Sequence, residues 1–177
     1  MTRSCAPANV SLLNPNEFRF FLERAPYLTF FVQTVSLPSI SLDPVETENP
    51  FVTVPYAGDH VTFEELSVDF LVDEDLQGYR EMYHWIRGLG FPTTFEEYQA
   101  EVAKMRYGNR WEALASDCSV FTNTGSRNAN IEFTFRDAFP VMVSAPTLST
   151  TNPDQPVVTA RVRFAYTHFD VKPVKAQ

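Results

Sequence analysis

The stretch from Ala57 to Leu89, AGDHVTFEELSVDFLVDEDLQGYREMYHWIRGL, decides the fold because the spacing of its apolar residues changes part-way along. Leu66, Val68 and Phe70 alternate with polar residues, which predicts a strand with one buried face and one face open to water or to a partner. Beyond Asp73 the apolar residues recur at helical spacing, which predicts a helix packed against that strand. One strand and one helix cannot bury both apolar faces alone, so the rest of the chain must supply a sheet.

The predicted helix has a clear beginning. Asp73 is a favourable N-cap, and Glu74 and Asp75 place negative charge at the positive end of the helix dipole. These acids could also bind a metal ion, but acids at a helix start are what the dipole already favours, so no metal site is predicted. The stripe predicted to face the core consists of Leu76, Tyr79, Tyr83 and Ile86. A capping box predicts a second helix from Phe95 to Tyr107.

The composition predicts one globular domain. The chain has 177 residues, of which 44% are hydrophobic and 20% are charged, and this length suffices for a single core. The net charge of −8 disfavours a surface that binds nucleic-acid phosphates, although it is equally compatible with simple solubility. Because no apolar run reaches about 18 residues and the N-terminus lacks a signal-like segment, we expect no membrane anchor and synthesis in the cytoplasm.

Further β-rich runs lie on both sides of the helical part. Glu17–Glu23 and Leu28–Leu37 are separated by a short spacer containing Pro26, which predicts a hairpin. Asp117–Thr122 and Asn130–Arg136 predict a second antiparallel hairpin, after which the order is expected to break near residues 138–140. The sum is a mainly β or α+β fold, an antiparallel β-barrel or sandwich with one or two flanking helices.

Val157–Val171 is predicted to form one long final strand. Its two faces differ, with Val158, Val162, Phe164 and Tyr166 on one side and Arg161, Arg163 and Thr167 on the other. The two arginines, together with Arg136, could bind phosphate. In so acidic a chain, pairing with acids such as Glu65 and Asp69 is the favoured interpretation.

The segment Ser39–Tyr56, SISLDPVETENPFVTVPY, combines three prolines and three acids with many apolar residues. A loop of this length and apolarity is uncommon inside a compact domain. It is either an irregular edge that covers the sheet or a projecting arm that another subunit covers. The apolar residues of the predicted arm are Ile40, Leu42, Val45, Phe51, Val52 and Val54.

The cysteines and histidines form no recognisable site. Cys5 and Cys118 lie far apart and have no metal-ligand spacing. Cys118 alternates with Val120, which is typical of a small core residue, and a disulfide between subunits is the alternative. Surface or packing roles are predicted for the three histidines, His60, His84 and His168.

The sequence contains no catalytic constellation. It has no nucleophile elbow, no phosphate-binding loop and no dinucleotide fingerprint. A hydrolase using His84 with Asp73 or Glu81 would lack a nucleophile. We therefore expect no enzyme, no cofactor and no metal, and a stand-alone module that binds a small or peptide ligand on the Phe-rich sheet stays open as an alternative.

A series of short motifs runs through most of the chain, from Asn14 to Val171. In chain order they are Leu37-Pro38, Ala57-Gly58-Asp59, Phe63, Asp73-Glu74, Phe139-Pro140, Phe164 and Tyr166. Their order and spacing resemble the phage tail-tube family of contractile-tailed viruses, whose relatives include the tube proteins of type VI secretion. The family also contains tube initiators, tube terminators and baseplate or neck adaptors, so the resemblance leaves the position along the tail open.

The resemblance implies a virion protein with defined partners. Six subunits would form a ring whose sheets join into one inner barrel, and rings would stack through loops and arms into a tube that conducts DNA during ejection. The partners would be copies of the chain itself and other tail proteins such as sheath, baseplate or neck components. Double-stranded DNA would pass without being bound specifically, and the protein would be located in the virion tail after assembly in the host cytoplasm.

The chain is expected to divide into a core domain and less ordered ends. Residues 1–16 are predicted to form an N-terminal arm, residues 17–171 the β domain and residues 172–177 a C-terminal tail. Within the domain, 39–56 is the projecting arm and 73–107 the helical segment.

Two acids of the predicted strand that contains Leu66, Val68 and Phe70 are candidates for contact with the pore or with another subunit. Because their strand neighbours must face the core, Glu65 and Asp69 are expected on the pore side or at a subunit seam.

Overall fold

The structure, a computed structural model, describes residues 11–90, 115–149 and 157–174, and only residues 95, 96 and 99 of the segment between 91 and 114. The elements in these ranges are β1 (Phe18–Leu22), α1 (Pro26–Phe30), β2 (Val32–Ser36), β3 (Ile40–Leu42), β4 (Val45–Glu48), β5 (Thr53–Tyr56), β6 (Val61–Phe63), β7 (Leu66–Leu71), α2 (Gln77–Gly90), β8 (Ser116–Asn123), β9 (Ala129–Val143), β10 (Thr159–Ala165) and β11 (His168–Pro173). The predicted second helix, Phe95–Tyr107, lies outside the described residues except for those three positions, which are helical. Cys5 and most of the predicted N-terminal arm also lie outside them.

The sheet consists of two layers that share one strand. Six strands follow an antiparallel path in the order β1-β8-β9-β10-β7-β2, and β11 joins by pairing with β9. The first part of β9 pairs with β8 and β11, and its end, from Phe139 to Val143, pairs with β10. We call the layer of β1, β8, the first part of β9 and β11 sheet A. The layer of the end of β9, β10, β7 and β2 is sheet B.

The two layers form a sandwich whose path stays open. In the described part of the chain β1 and β2 end the path and do not pair with each other, so the fold is the predicted antiparallel sandwich rather than a closed barrel. The apolar faces of both sheets meet in one core. Its fully buried side chains include Leu22, Leu66, Val68, Phe70, Phe135, Val162 and Phe164. The predicted alternation on β7 and β10 is therefore confirmed.

The helix α2 covers the core through a face that coincides only in part with the predicted one. Its buried residues are Gly78, Met82, Trp85 and Gly88, whereas Leu76 and Tyr83 are 40% and 43% exposed. Leu76 does not share a helical face because the helix begins at Gln77, after a turn in which Leu76 has a φ of 55°. Asp73 still caps this end, since its Oδ2 accepts the N–H of Gln77 at 3.2 Å. The predicted stripe is thus wrong for Leu76 and Tyr83, whereas Tyr79 packs against the core and Ile86 is half-buried.

The first predicted hairpin is also wrong. β1 pairs with β8 in sheet A and β2 pairs with β7 in sheet B, so the two strands lie in different layers. The helix α1 crosses between them, with Pro26 in its first turn, where the missing N–H of proline has no consequence. The Thr29 hydroxyl donates to Ala25 O at 3.1 Å, and Leu28 is fully buried. The need to change layers overrides the β propensity of residues 28–31.

The second predicted hairpin is confirmed, but its strands differ in extent. β8 and β9 pair as expected, and β9 continues through Phe139 and Pro140, where a break was predicted. A register shift against β10 lies at this point, and a bulge is where an edge strand accommodates proline. The predicted final strand is divided at Tyr166 and Thr167, because β10 belongs to sheet B and β11 to sheet A.

A polar cluster fixes the place where β9 passes from sheet A to sheet B. Asp137 has a φ of 54°, which is uncommon for a residue with a side chain. Its N–H donates to Asp117 Oδ1 at 3.2 Å, and its own carboxylate accepts the Thr167 hydroxyl at 3.3 Å. The second oxygen of Asp117 is paired with Arg136. These contacts stabilise the turn that sends β9 into the other layer.

Glu81 connects the two helices. Its carboxylate accepts the backbone N–H groups of Leu28 and Tyr27. Burial raises the pKa of Glu81, the two hydrogen bonds lower it by less, and the nearby Asp73 carboxylate raises it further. No described residue donates to the buried atoms Glu81 Oε2 and Asp73 Oδ1.

Replacing Glu81 by Gln should remove a loss of stability that the wild type undergoes as the pH rises. A carboxyl group whose pKa is raised by folding favours the folded state when protonated. Its contribution is therefore full below the ordinary pKa of 4.5 and is lost as the pH rises through the raised value. The amide retains an oxygen for the N–H groups of α1 but does not titrate. We expect the stability of Glu81→Gln relative to wild type, measured by urea unfolding, to increase between about pH 4 and about pH 7.

The variant Glu81→Ala is the control, because it removes both the titration and the acceptor. It should be less stable than Glu81→Gln at every pH and should show the same change with pH relative to wild type. Parallel curves for wild type and Glu81→Gln would contradict the assignment.

Candidate assembly surfaces

The predicted arm is a long two-stranded hairpin that stands away from the sandwich. β3 pairs with β6 near its base and β4 pairs with β5 beyond a kink. At the tip the backbones of Asn49 and Val52 exchange hydrogen bonds of 3.2 and 3.3 Å. A two-stranded ribbon has no core of its own and is marginally stable alone. An arm of this shape therefore gains stability when another surface covers it.

The apolar residues predicted for the arm are exposed on it. Phe51, at the tip, is 95% exposed, and Val54 is half-buried. The other exposed members are Ile40, Leu42, Val45 and Val52. The concentration of large apolar side chains on a thin hairpin is typical of a surface that contacts another protein.

An aromatic cluster holds the base of the arm against the sandwich. Phe63 lies 5.5 Å from Phe169 and 6.3 Å from Tyr166 between ring centroids. Phe135 stacks on Phe169 at 5.3 Å from the core side. The Tyr166 hydroxyl donates to Glu64 O at 2.7 Å, and burial raises the pKa of Tyr166 to about 12, so the donor keeps its proton. The base of the arm is thus fixed while its tip is free to contact a partner.

The arm carries negative charge without compensating cations. Between residues 25 and 79 the sequence has ten acidic residues and no lysine or arginine. Those on the arm and its base are Asp43, Glu46, Glu48, Asp59 and Glu64. A surface that covers the arm must therefore provide apolar contacts and avoid a strong negative field.

The outer face of sheet B, which points away from the core, contains the two predicted acids. Asp69 lies directly opposite Arg161 and binds it through two contacts, Nε–Oδ1 at 2.5 Å and Nη2–Oδ2 at 2.9 Å. Glu65 pairs with Arg163 at 3.0 Å. Asp69 raises the pKa of the Arg161 guanidinium. Both acids lie on the face opposite the core and α2, as the alternation required, and each is paired with an arginine as the sequence suggested.

Among the described strands, sheet B has two open margins. One is β2 with the adjoining helix α1, and the other is the end of β9. The exposed apolar side chains on the first margin are Tyr27, Phe30 and Leu37, and those on the second are Phe139, Val141 and Met142. Long apolar edge strands were expected from the sequence, but the pattern did not predict which strands form these margins, because each depends on the layer to which a strand belongs. The run of aromatics at residues 27–31 was the one available signal.

Most of the motif residues lie where the chain changes direction or layer. Leu37-Pro38 leads from β2 into the arm, Ala57-Gly58-Asp59 forms the kink between β5 and β6, and Asp73-Glu74 precedes α2. Phe139-Pro140 marks the start of the part of β9 that belongs to sheet B. The remaining motif residues, Phe63, Phe164 and Tyr166, belong to the arm base and the core.

Cys118 and the histidines lie apart from one another, and their surroundings differ. Cys118 is 1% exposed, and burial raises the pKa of its thiol to about 12, so a disulfide through Cys118 is disfavoured in the folded subunit. His60 is exposed beside Asp59, and His84 lies against Tyr83. Among the described residues no three side chains are grouped as metal ligands.

No helix in this part of the chain is both long and apolar enough to cross a membrane.

Gly58→Ala should open the base of the arm without unfolding the sandwich. A Cβ at Gly58 would lie 2.0 Å from Asp43 O, so the two sides of the kink would have to separate. We expect hydrogen exchange of the arm amides to accelerate by roughly tenfold or more while the core amides keep their protection. Gly125→Ala is the control, because a Cβ there meets nothing within 4 Å. Unchanged exchange in the arm would contradict this account of the kink.

Comparison with known proteins supports the fold at two levels. The family model for phage tail tube proteins matches residues 7–172. Among solved structures, the tube-terminating cap of the anti-feeding prophage is 9% identical, with a TM-score of 0.58, and the match covers 98% of this chain and 100% of that one. No curated protein matches the sequence.

Two further structures come from an extracellular contractile injection system. Its sheath/tube terminator is 13% identical, with a TM-score of 0.55 and coverage of 93% of this chain and 99% of that one. A chain of its sheath–tube complex is 11% identical, with a TM-score of 0.54 and coverage of 92% of this chain and 93% of that one. At such identities the likeness shows the fold alone. The family model, by contrast, matches nearly the whole sequence and confirms the predicted family: this chain belongs to the phage tail tube protein family.

Proposed function

We propose that this protein is a structural subunit of a phage tail, without enzymatic activity, that assembles into hexameric rings of the tube through which DNA passes. The observation that carries the proposal is the pair of open margins on sheet B. An exposed strand margin with apolar side chains invites pairing with another chain. A second copy provides the complementary margin.

The strand directions of sheet B allow a ring to form without interruption. The four strands alternate in direction from the end of β9 through β10 and β7 to β2, so the two margins run antiparallel. Rotation of one copy beside another places β2 against the end of the neighbour's β9, and the new pair is antiparallel as well. Such head-to-tail contacts close into rings when the rotation returns to the start.

The number six is supported by analogy. One structure with the same fold, of the anti-feeding prophage baseplate, is described as six-fold symmetrised, with a TM-score of 0.55 and 13% identity over 90% of this chain and 93% of that one. Six copies of a four-stranded layer would line the inside of the ring. The outer face of sheet B, with its paired arginines and acids, would then face the lumen.

The arm is proposed to join each subunit to an adjacent one in the same ring or the next. Its base is fixed by Phe63 and Tyr166, and its tip presents Phe51. Residues 39–56 would then be the connecting part of the β domain, which comprises residues 17–171. The sheath, baseplate or neck proteins would contact the outside of the assembly.

The position along the tail is a separate question. The structural relatives include a tube complex, a terminator and a cap at nearly equal similarity. The same ring could therefore repeat along the tube, or occur once as an initiator, a terminator or an adaptor. A virion image with this subunit labelled distinguishes a label along the whole tail from a label at one end.

Val141→Lys should prevent ring formation while leaving the subunit folded. Val141 lies on the open margin of β9 and is 47% exposed, and a lysine on an edge strand opposes pairing. Light scattering and negative-stain microscopy should show rings for wild type and monomers for the variant. The matched control is Val171→Lys on β11, a margin of sheet A, where the valine is 53% exposed. Rings from Val141→Lys, or equal loss in both variants, would contradict the proposed contact.

Shortening the arm should leave a folded monomer that no longer assembles. Replacing residues 47–54 by a two-residue Asn-Gly turn retains the base of the hairpin and its kink. We expect an unchanged melting temperature and loss of rings or stacked rings. The variant Phe51→Ser/Val52→Ser retains the full length and tests whether the apolar tip itself makes the contact. Normal assembly of the shortened chain would exclude the arm as a connector.

A further inference from the structure

The outer face of sheet B holds two arginines close together. Arg161 and Arg163 are separated by one residue on β10, so their side chains leave the same face roughly 7 Å apart. Their neighbours Ala160, Val162 and Phe164 are buried, which directs both guanidinium groups outward. Two outward arginines at this spacing would by themselves be a favourable contact for a phosphodiester backbone, because guanidinium binds phosphate through paired N–H donors.

Acids from the adjacent strand occupy these donors. Asp69 engages Arg161 in a fork, with both carboxylate oxygens used. Glu65 engages Nη1 of Arg163, and the Met142 sulfur accepts from Nη2 and Nε at 2.7 and 3.2 Å. The four charged groups have no net charge together. The face is thus rich in charge and at the same time neutral.

We infer that Asp69 and Glu65 prevent the outer face of sheet B from binding nucleic-acid backbone, by occupying the guanidinium groups of Arg161 and Arg163. The probe ligand is double-stranded DNA of arbitrary sequence. The biological meaning of this inference depends on the proposed function, in which this face lines the lumen. The binding property itself does not depend on assembly.

Purely acidic side chains would repel DNA, whereas unpaired arginines would retain it. The paired arrangement avoids both, because each charge is neutralised within one hydrogen-bond length and its field falls off quickly. Repetition around a ring would multiply any residual attraction, since each phosphate contact releases counterions and adds to the affinity. A small excess of unpaired arginine charge in each subunit would therefore greatly increase the affinity of the whole tube for DNA.

The test replaces both acids by their amides, Asp69→Asn and Glu65→Gln, and measures binding of a fluorescent DNA duplex by anisotropy. Wild type should bind negligibly. The double variant should bind at least roughly tenfold more tightly at low ionic strength, with an affinity that falls steeply as salt is added. Adding Arg161→Gln and Arg163→Gln to the double variant should abolish the binding. Each single acid variant should give an intermediate effect, and these variants carry the test should the double variant fail to fold.

The control must change the net charge equally at another place. Glu46→Gln/Glu48→Gln removes two acids from the arm, which has no lysine or arginine near them in the sequence. This variant should remain as inert toward DNA as wild type. Equal DNA binding by the control, no binding by the Asp69/Glu65 variant, or binding that survives loss of both arginines would overturn the inference.

Ring formation is measured on the same samples by light scattering. If the acid variant binds DNA as a monomer but no variant, nor wild type, forms rings, the inference stands and the proposed function fails. If rings form normally and the acid variant does not bind DNA, the proposed function stands and the inference fails.

Discussion

The passage of β9 from one layer to the other is the constraint on which the rest of the structure depends. This strand gives sheet A its pairing with β8 and β11, and it gives sheet B both its pairing with β10 and its open margin. The Asp117 carboxylate, bound to Arg136 and to the N–H of Asp137, holds the backbone in the conformation that makes the passage possible. If this turn were lost, the two apolar faces would no longer be held opposite each other.

A second crossing on the other side of the sandwich complements the first. There α1 leads from β1 in sheet A to β2 in sheet B, with Leu28 in the core and Glu81 of α2 accepting its first N–H groups. The two crossings differ in exposure. The β9 crossing is held by side chains of strands, whereas α1 leaves Phe30 81% exposed on the margin. The open margins of sheet B therefore follow from how the chain changes layers.

The sequence predicted those features that depend on local period. The alternation of Leu66, Val68 and Phe70 gave the strand, its buried face and the outward direction of its acids. The excess of acids over lysine and arginine in the chain indicated that Arg161 and Arg163 would pair with acids such as Glu65 and Asp69. The projecting hairpin could be anticipated because apolar residues and prolines together are unusual in a loop of that length.

The features that the sequence did not predict depend on tertiary context. A helix of five residues at Pro26–Phe30 has too few turns to show a period, and its residues have high β propensity. The face of α2 was assigned only in part. Leu76 precedes the helix in a left-handed conformation and does not continue its spacing, and the helix is centred on Met82 and Trp85 rather than on Tyr83. The division of the final strand at Tyr166 was missed although the alternation changes there. β10 buries Ala160, Val162 and Phe164, whereas in β11 the odd-numbered Phe169 packs against the core in the other sheet.

The distribution of charge connects the fold to the proposed assembly. Sheet B brings β7, from a segment without lysine or arginine, beside β10, which carries Arg161 and Arg163. The excess acid of that segment is thus neutralised on the outer face of the sheet but not on the arm. A neutral face and an acidic arm suit different contacts: the first would let a polyanion pass without holding it, and the second would favour a partner surface that is apolar and not itself acidic. The same antiparallel pairing that builds the sandwich therefore leaves the outer face of sheet B neutral and the arm acidic.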